Sequence, residues 1–274
     1  MIFEVTNKEK VIQLCTIFTN LKSICNNMNF VIGKNGLYTQ GLDPSHICVL
    51  ELNLTPAWFD NIKLPTTKDD YRIGLDCSML ERVFRCLEPG QSIKMTFMEN
   101  SSKDLLIYFE GKGHDKMFEI PLLDIDTDQL EIPDAEYSSD IIINSDEFKH
   151  ILSQLVNFGD KVQFKLGYDD YIYMKTEGQL GKMQVRIKEE NIVEYALEEN
   201  KMFEIVYGIR FINLFCNFSK LNQNVNVHIS ENIPMKLQYD LSNWKEIKED
   251  DDIDNDVNYF KTYLAPLLDE EEEN

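Results

Sequence analysis

Residues 122–137, LLDIDTDQLEIPDAEY, decide how the rest of the chain is read. Leu122, Leu123, Ile125, Leu130 and Ile132 are apolar, and Asp124, Asp126, Asp128 and Glu131 interrupt them. That spacing keeps neither the strand period nor the helix period, so it predicts no regular element. Pro133 removes a backbone donor and biases Ile132 toward an extended conformation. An irregular segment this rich in large apolar side chains has two readings. It is a linker pinned to the body by its Leu and Ile side chains, or it forms one wall of a peptide-binding groove. A calcium loop is a poor third reading. Asp124-x-Asp126-x-Asp128 opens like one, but no turn glycine follows, and the twelfth position is Ala135 where a bidentate Glu is required.

Outward from this connector the same pattern recurs on both sides. Before it, a strand at 2–5 leads to the capping box Thr6-Asn-Lys-Glu9 and a helix with Val11, Leu14, Cys15, Phe18 and Leu21 on one face. Strands at 29–32, 37–42 and 46–54 follow, the first two joined by the hairpin signal Asn35-Gly36. A second round runs from the strand 71–75 through the capping box Ser78-Met-Leu-Glu81 to a helix stopped by Pro89-Gly90. Strands at 92–98, 105–110 and 116–120 complete it, with a turn at 100–103.

After the connector, a strand at 140–143 precedes a helix capped by Asn144 or Ser145, with Phe148, Ile151, Leu152, Leu155 and Phe158 on its stripe. Strands at 162–166, 172–176 and 183–188 follow. The last round comprises a strand at 203–206, a helix bearing Phe211, Ile212, Leu214, Phe215 and Phe218, and strands at 225–230 and 235–241.

Four rounds of roughly 60 to 70 residues make an internal repeat, two on each side of the connector. The expected fold is α+β: two similar domains, each with two helices on one face of antiparallel sheets. The expected bounds are 1–121, a connector at 122–137, a second domain at 138–266, and an acidic tail at 267–274. Residues 245–256, KEIKEDDDIDND, read as a solvated acidic insertion.

The chain has 274 residues and a net charge of −21, which repels nucleic acid at long range. The six cysteines (15, 25, 48, 77, 86 and 216) form no C-x-x-C, so buried thiols in a reducing compartment are expected rather than a zinc site or a disulfide framework. No signal core or membrane-length apolar run is seen, which predicts a soluble, intracellular protein. No phosphate-binding loop, dinucleotide fingerprint, H-E-x-x-H or nucleophile elbow is present. No cofactor is expected. A two-carboxylate site stays open as a reading, because 48 acidic residues make chance pairs plentiful.

The positive charges are better ordered. Lys8, Lys10 and Lys22, then Arg82 and Arg85, then Lys149 with His150, then Arg210, belong to the four helices in turn, and Lys220 follows the last. These are ordinary solvated helix faces, or they pool into one basic surface on an acidic body. Such a surface would hold DNA phosphates without reading sequence.

The chain resembles the eukaryotic-type DNA sliding clamps of the proliferating cell nuclear antigen family over essentially its whole length. The resemblance is carried by Leu42-Asp43-Pro44-Ser45-His46, Ile132-Pro133-Asp134-Ala135-Glu136-Tyr137, Glu147-Phe148 through Phe158-Gly159-Asp160, and Tyr263-Leu264-Ala265-Pro266. It implies a non-catalytic ring of three subunits around duplex DNA, serving a DNA polymerase, a clamp loader and other replication and repair proteins, in the nucleus or in a viral replication compartment. A monomeric clamp-like factor and an acidic interaction protein are the alternatives. The basic helices would line the hole with Lys22, Arg82, Arg85, Lys149, Arg210 and Lys220. His150 and Ser153 stand where the family usually places basic residues.

The partner groove implied by the resemblance comprises Leu42, His46, Ile47, Val49, Leu130, Ile132, Pro133, Tyr137, Pro234, Tyr263, Ala265 and Pro266. Leu267 follows where a basic residue is common. The subunit contact would pair strand 116–120 with 181–187 of a neighbour, sealed by Phe118, Leu155, Phe158 and Met183. Tyr168 replaces the lysine that many relatives modify.

Overall fold

Strand β1 (Ile2–Val5) alternates half-buried and buried residues, and helix α1 (Lys8–Asn20) follows it. The helix starts one residue later than the sequence pattern implies. Thr6 is not the cap, because Asp60 takes both its amide (2.5 Å) and its hydroxyl (2.9 Å). Asn7 caps instead, accepting from the amides of Glu9 and Lys10. The computed structural model describes residues 1–64, 70–97, 103–126, 129–133, 135–179, 181–241 and 258–267. The acidic stretch 245–256, the tail from 268, Met98, the turn residues 100–102, Asp128 and Asp134 lie outside the described residues.

The chain divides into two units, Met1–Glu131 with Asp240–Phe260, and Ile132–Tyr239 with Lys261–Asn274. In the first, β2 (Asn27–Gly33), β3 (Gly36–Leu42), β4 (Cys48–Leu54), β5 (Asn61–Lys63), β6 (Tyr71–Asp76), helix α2 (Cys77–Phe84), β7 (Ser92–Thr96), β8 (Asp104–Glu110) and β9 (Lys116–Pro121) follow. One antiparallel sheet has the order β5-β1-β7-β8-β9. In another, β6, β2, β3 and β4 pair in that order. The helices bring the two sheets into one core. Phe18 of α1 meets Phe30 of β2 (5.9 Å between centroids) and Phe84 of α2 (4.6 Å), and Phe84 meets Phe109 of β8 (5.5 Å). All four rings are buried, each stabilising the unit by about 1.5–3 kcal/mol.

In the second unit, β10 (Ser139–Asn144), α3 (Ser145–Leu155), β11 (Lys161–Leu166), β12 (Tyr171–Gly178), β13 (Gly181–Lys188), β14 (Glu194–Leu197), β15 (Phe203–Gly208), α4 (Ile209–Phe215), β16 (Asn224–Ile229) and β17 (Met235–Asp240) follow. Strand β18 (Tyr259–Leu264) carries residues of both units. One sheet has the order β13-β12-β11-β15, and β14, β10, β16 and β17 pair antiparallel in another. The fold is α+β, with two helices and antiparallel sheets in each unit.

Several elements differ from the sequence pattern. The second helix is capped by Asp76, two residues before the expected Ser78, because β6 ends there and the carboxylate reaches the amides of Ser78 and Met79. Asn144 caps α3. Helix α4 ends at Phe215 and tightens into a 3-10 segment, Cys216–Leu221. The short strands β5 and β14 escape a pattern search, since three or four half-exposed residues carry too few alternations to register. Cys86 is exposed, whereas Cys25, Cys48, Cys77 and Cys216 are buried free thiols. No helix among the described residues is long and apolar enough to cross a membrane.

Candidate nucleic-acid and partner-binding surfaces

The basic helix residues are not equally free. Lys10, which α1 turns inward, has a side chain only 11% exposed, with its ammonium 3.8 Å from Asp60 and 5.9 Å from the Trp58 ring centroid. Lys22 is exposed and bonds the Asn26 side chain. Arg82 and Arg85 lie three residues apart on one side of α2, both exposed. Arg85 pairs with Glu81 at 2.6 Å, one turn back, but its side chain is 70% exposed. An exposed pair of this kind is worth about 0.3–0.5 kcal/mol, so a phosphate can displace the carboxylate. Lys149 is half-buried, near enough to the buried Cys216 to oppose the rise in its thiol pKa. His150 bonds Gln154 (3.1 Å), and Ser153 bonds the His150 carbonyl (2.7 Å). Arg210 in the first turn of α4 and Lys220 after it are exposed.

In the first unit the connector is fastened to the sheet by backbone-level contacts that apolar counting does not reveal. The Leu123 amide donates to Gly74 O at 2.8 Å. Gly74 lies inside β6, and a Cβ there would sit 2.3 Å from Leu123 O and 2.8 Å from the Ile125 side chain. A glycine within a strand marks such a close approach, and this was the sequence signal available. Asn29 donates to Ile125 O (3.0 Å). Gln40 holds Leu130 from both sides, accepting its amide (2.8 Å) and donating to its carbonyl (3.0 Å). Leu130 is thereby displayed rather than buried, at 45% exposure.

The loop after β3 is built by one carboxylate. Asp43, 4% exposed, accepts from the amides of Ser45 (2.9 Å), Ile47 (2.6 Å) and Cys48 (2.7 Å). Burial works against its ionisation, but those three amides outweigh it and hold the carboxyl below the usual range. The turn forces His46 to φ 58°, so His46 belongs to the loop and not to the start of β4. It also leaves Ile47 38% exposed. Leu42 and Val49 face each other across β3 and β4, both half-buried. Thus Leu42 on β3, His46 and Ile47 on the β3–β4 loop, Val49 on β4 and Leu130 on the connector all belong to one unit. Asp43, Gln40 and Gly74 are the supports that the residue-by-residue reading missed.

In the second unit Tyr137 ends the connector. Its hydroxyl donates to Pro234 O at 3.1 Å, its ring packs on His228 (5.4 Å between centroids), and the Lys236 ammonium lies 5.0 Å from the ring centroid. Burial, and then the Asp140 charge, push the phenol pKa up to about 12. Ile132 is half-buried, and Pro133 and Pro234 are exposed. Tyr263 lies on β18 with Ala265 and Pro266 just after it, all half-buried. Leu267 donates its amide to Val206 O at 2.8 Å and is 37% exposed.

β9 is the longer edge strand of the sheet β5-β1-β7-β8-β9 in the first unit, and β13 the longer edge strand of the sheet β13-β12-β11-β15 in the second. On β9, Met117 is 61% exposed and Phe118 half-buried. Met183 of β13 is half-buried, and Phe158 is 37% exposed within 3.9 Å of a Cβ placed on Gly181. Leu155 has to be removed from the expected contact. It is fully buried in the core of its own unit, where a second chain does not reach it.

No group of three or more metal-ligating side chains is found among the described residues. Residues 2–131 match the family model for the N-terminal domain of proliferating cell nuclear antigen, and residues 131–248 match the model for its C-terminal domain. Clamps of this kind are non-enzymatic processivity factors that act in DNA replication. The chain therefore belongs to the proliferating cell nuclear antigen family of DNA sliding clamps.

Proposed function

We propose that three copies of this chain close into a ring around duplex DNA and tether a polymerase and other replication and repair proteins by short peptides. The observation that carries this reading is the pair of open sheet edges. An edge strand with unpaired amides and carbonyls invites another strand, and proteins normally shorten, cover or charge such edges. Here β9 and β13 are charged, by Lys116 and Glu119 on one and Lys182, Arg186 and Lys188 on the other, but they are not shortened: they run six and eight residues and carry the exposed Met117, with Phe118 and Met183 beside the two ladders. Pairing β9 of one copy with β13 of the next is a head-to-tail contact, which closes when the rotation per subunit divides a full turn. Phe118, Phe158 and Met183 supply its apolar seal.

A closed ring accounts for a DNA-binding face on a chain of charge −21. Topology retains the DNA, so phosphate contacts can be few and weak, which allows sliding. Lys22, Arg82, Arg85, Arg210 and Lys220 are the exposed cations assigned to that face, with the half-buried Lys149 contributing at longer range. The peptide groove is assigned to the Leu42–Val49 pair, the His46–Ile47 loop, Leu130, Ile132, Pro133, Tyr137, Pro234, Tyr263, Ala265 and Pro266. Apolar and aromatic anchors of a partner would fill it. The expected bounds at 121 and 138 place the whole connector outside both domains, and nuclear residence follows the family habit.

Light scattering behind a sizing column, over a dilution series, tests the ring. A mass near three times 32.1 kDa that persists on dilution supports it. A monomer at every concentration refutes it and leaves DNA retention to direct affinity.

A further inference from the structure

Four residues face one another across β14, β10, β16 and β17: Ala196, Asp140, His228 and Lys236. His228 Nδ1 and Asp140 Oδ1 are in direct hydrogen-bond contact. A carboxylate only accepts, so Nδ1 carries the proton and the neutral ring leaves Nε2 as a bare acceptor. Nε2 is buried and has no partner among the described residues. As an acceptor in a neutral ring it is tolerable. A second proton would make it a buried cationic donor with nothing to receive it, which costs far more.

The imidazole is also a support for Tyr137. The phenol is fixed at three places: its hydroxyl on Pro234 O, its ring on the His228 ring, and its face toward the Lys236 ammonium. Without the imidazole there remain a hydrogen bond at an exposed proline and a cation–π interaction across 5.0 Å, each modest alone.

We propose that His228 is the positioning residue that sets Tyr137 in the peptide groove, and that protonating His228 releases the phenol and weakens peptide binding. The inference rests on the groove reading given above. The charged groups facing the imidazole are Asp140 from β10, Lys236 from β17 and Lys261 from β18. Glu194 and Glu198 flank Ala196 on the far side of Asp140. Burial and then Lys236 hold the imidazole below the ordinary histidine value, against the pull of Asp140, and Lys261 adds to the lowering. The sign follows from that direction. The neutral ring, and with it the fixed Tyr137, is fully present above the unfolded histidine value of about 6.5. It is lost as pH falls through the lower folded value.

The test uses the full chain labelled with ¹³C at its tyrosines, and a fluorescent synthetic peptide with apolar and aromatic anchors. Tyr137 ring shifts and peptide affinity are both followed from about pH 8 to about pH 5. The two should change together, with affinity falling by up to about tenfold per pH unit below the midpoint, as one linked proton requires. His228→Gln should abolish the pH dependence of both, whatever its absolute affinity. Asp140→Asn removes the group that favours the imidazolium and should move the midpoint to lower pH. A Tyr137 signal that does not titrate in the unsubstituted chain, or that titrates equally in His228→Gln, overturns the inference. If the peptide fails to bind at any pH while Tyr137 titrates with His228, the groove reading fails and the positioning of Tyr137 by His228 stands.

Discussion

Replacing Asp43 with alanine withdraws the acceptor of three backbone amides at once, those of Ser45, Ile47 and Cys48. Ser45 and Ile47 are exposed, so water can replace the carboxylate, and each broken bond costs about 0.5–1.5 kcal/mol. The Cys48 amide is buried and is deprived of a charged acceptor, which costs about 1–3 kcal/mol. The sum is about 2–6 kcal/mol, enough to open a loop that also holds His46 at positive φ. The loop displays Ile47, so a partner peptide should lose affinity along with the stability. The pH dependence has a definite sign. The folded carboxyl lies below its unfolded value of about 3.9, so its stabilisation is full above that value. It disappears as pH falls through the folded value, and the two proteins should converge in strong acid. Hydrogen exchange at the Ile47 and Cys48 amides reports the loop directly, and urea melts of the two proteins report the global destabilisation. Protection at both amides unchanged from the parent, together with a stability difference under about 0.5 kcal/mol, would refute the assignment of Asp43 as the loop's organiser.

Three further outcomes rest on the same surfaces. Arg82→Ala with Arg85→Ala should reduce the dependence of log Kobs on log salt by about 0.9 for each phosphate that is no longer neutralised, and an unchanged slope removes both residues from the DNA face. Gly74→Ala puts a Cβ 2.3 Å from Leu123 O and should cost about 1–3 kcal/mol through displacement of the connector. Exchange should then rise at the Leu123 amide, and equal protection would mean the strand yields instead. Gln40→Ala removes both bonds to Leu130 and should free the connector locally for about 1–2 kcal/mol, leaving the particle mass unaltered. A changed mass would tie the connector to assembly.

What could be read from the sequence was whatever depends on near neighbours along the chain. The stripes of Leu14 and Phe18, of Leu80, Val83 and Phe84, and of Phe148, Ile151 and Leu152 gave the helices, because helical spacing puts those side chains on one face. The irregularity of 122–137 was legible too, since no period fits it. The caps were legible only to within a residue or two. Which side chain caps depends on what else competes for it, and Thr6 is taken by Asp60, 54 positions away. Short strands such as β5 and β14 form because a partner strand is already in place, not through any pattern of their own.

The residues proposed to meet a partner were named by their chemistry, and the supports beneath them were not. Asp43, Gln40 and Gly74 act through backbone groups, whose positions are not written in the side-chain sequence. The burial of Leu155 shows the same limit from the other side: an apolar residue on a helical stripe reads alike whether its own core or a neighbour covers it. Sequence alone therefore determined the family, the repeat and the helix faces, all set by local periodicity and by long motif matches. Tertiary structure decided which cations stay free, which carboxylate builds the loop, and how His228 meets Tyr137. Each of those depends on strands brought into register from far apart in the chain.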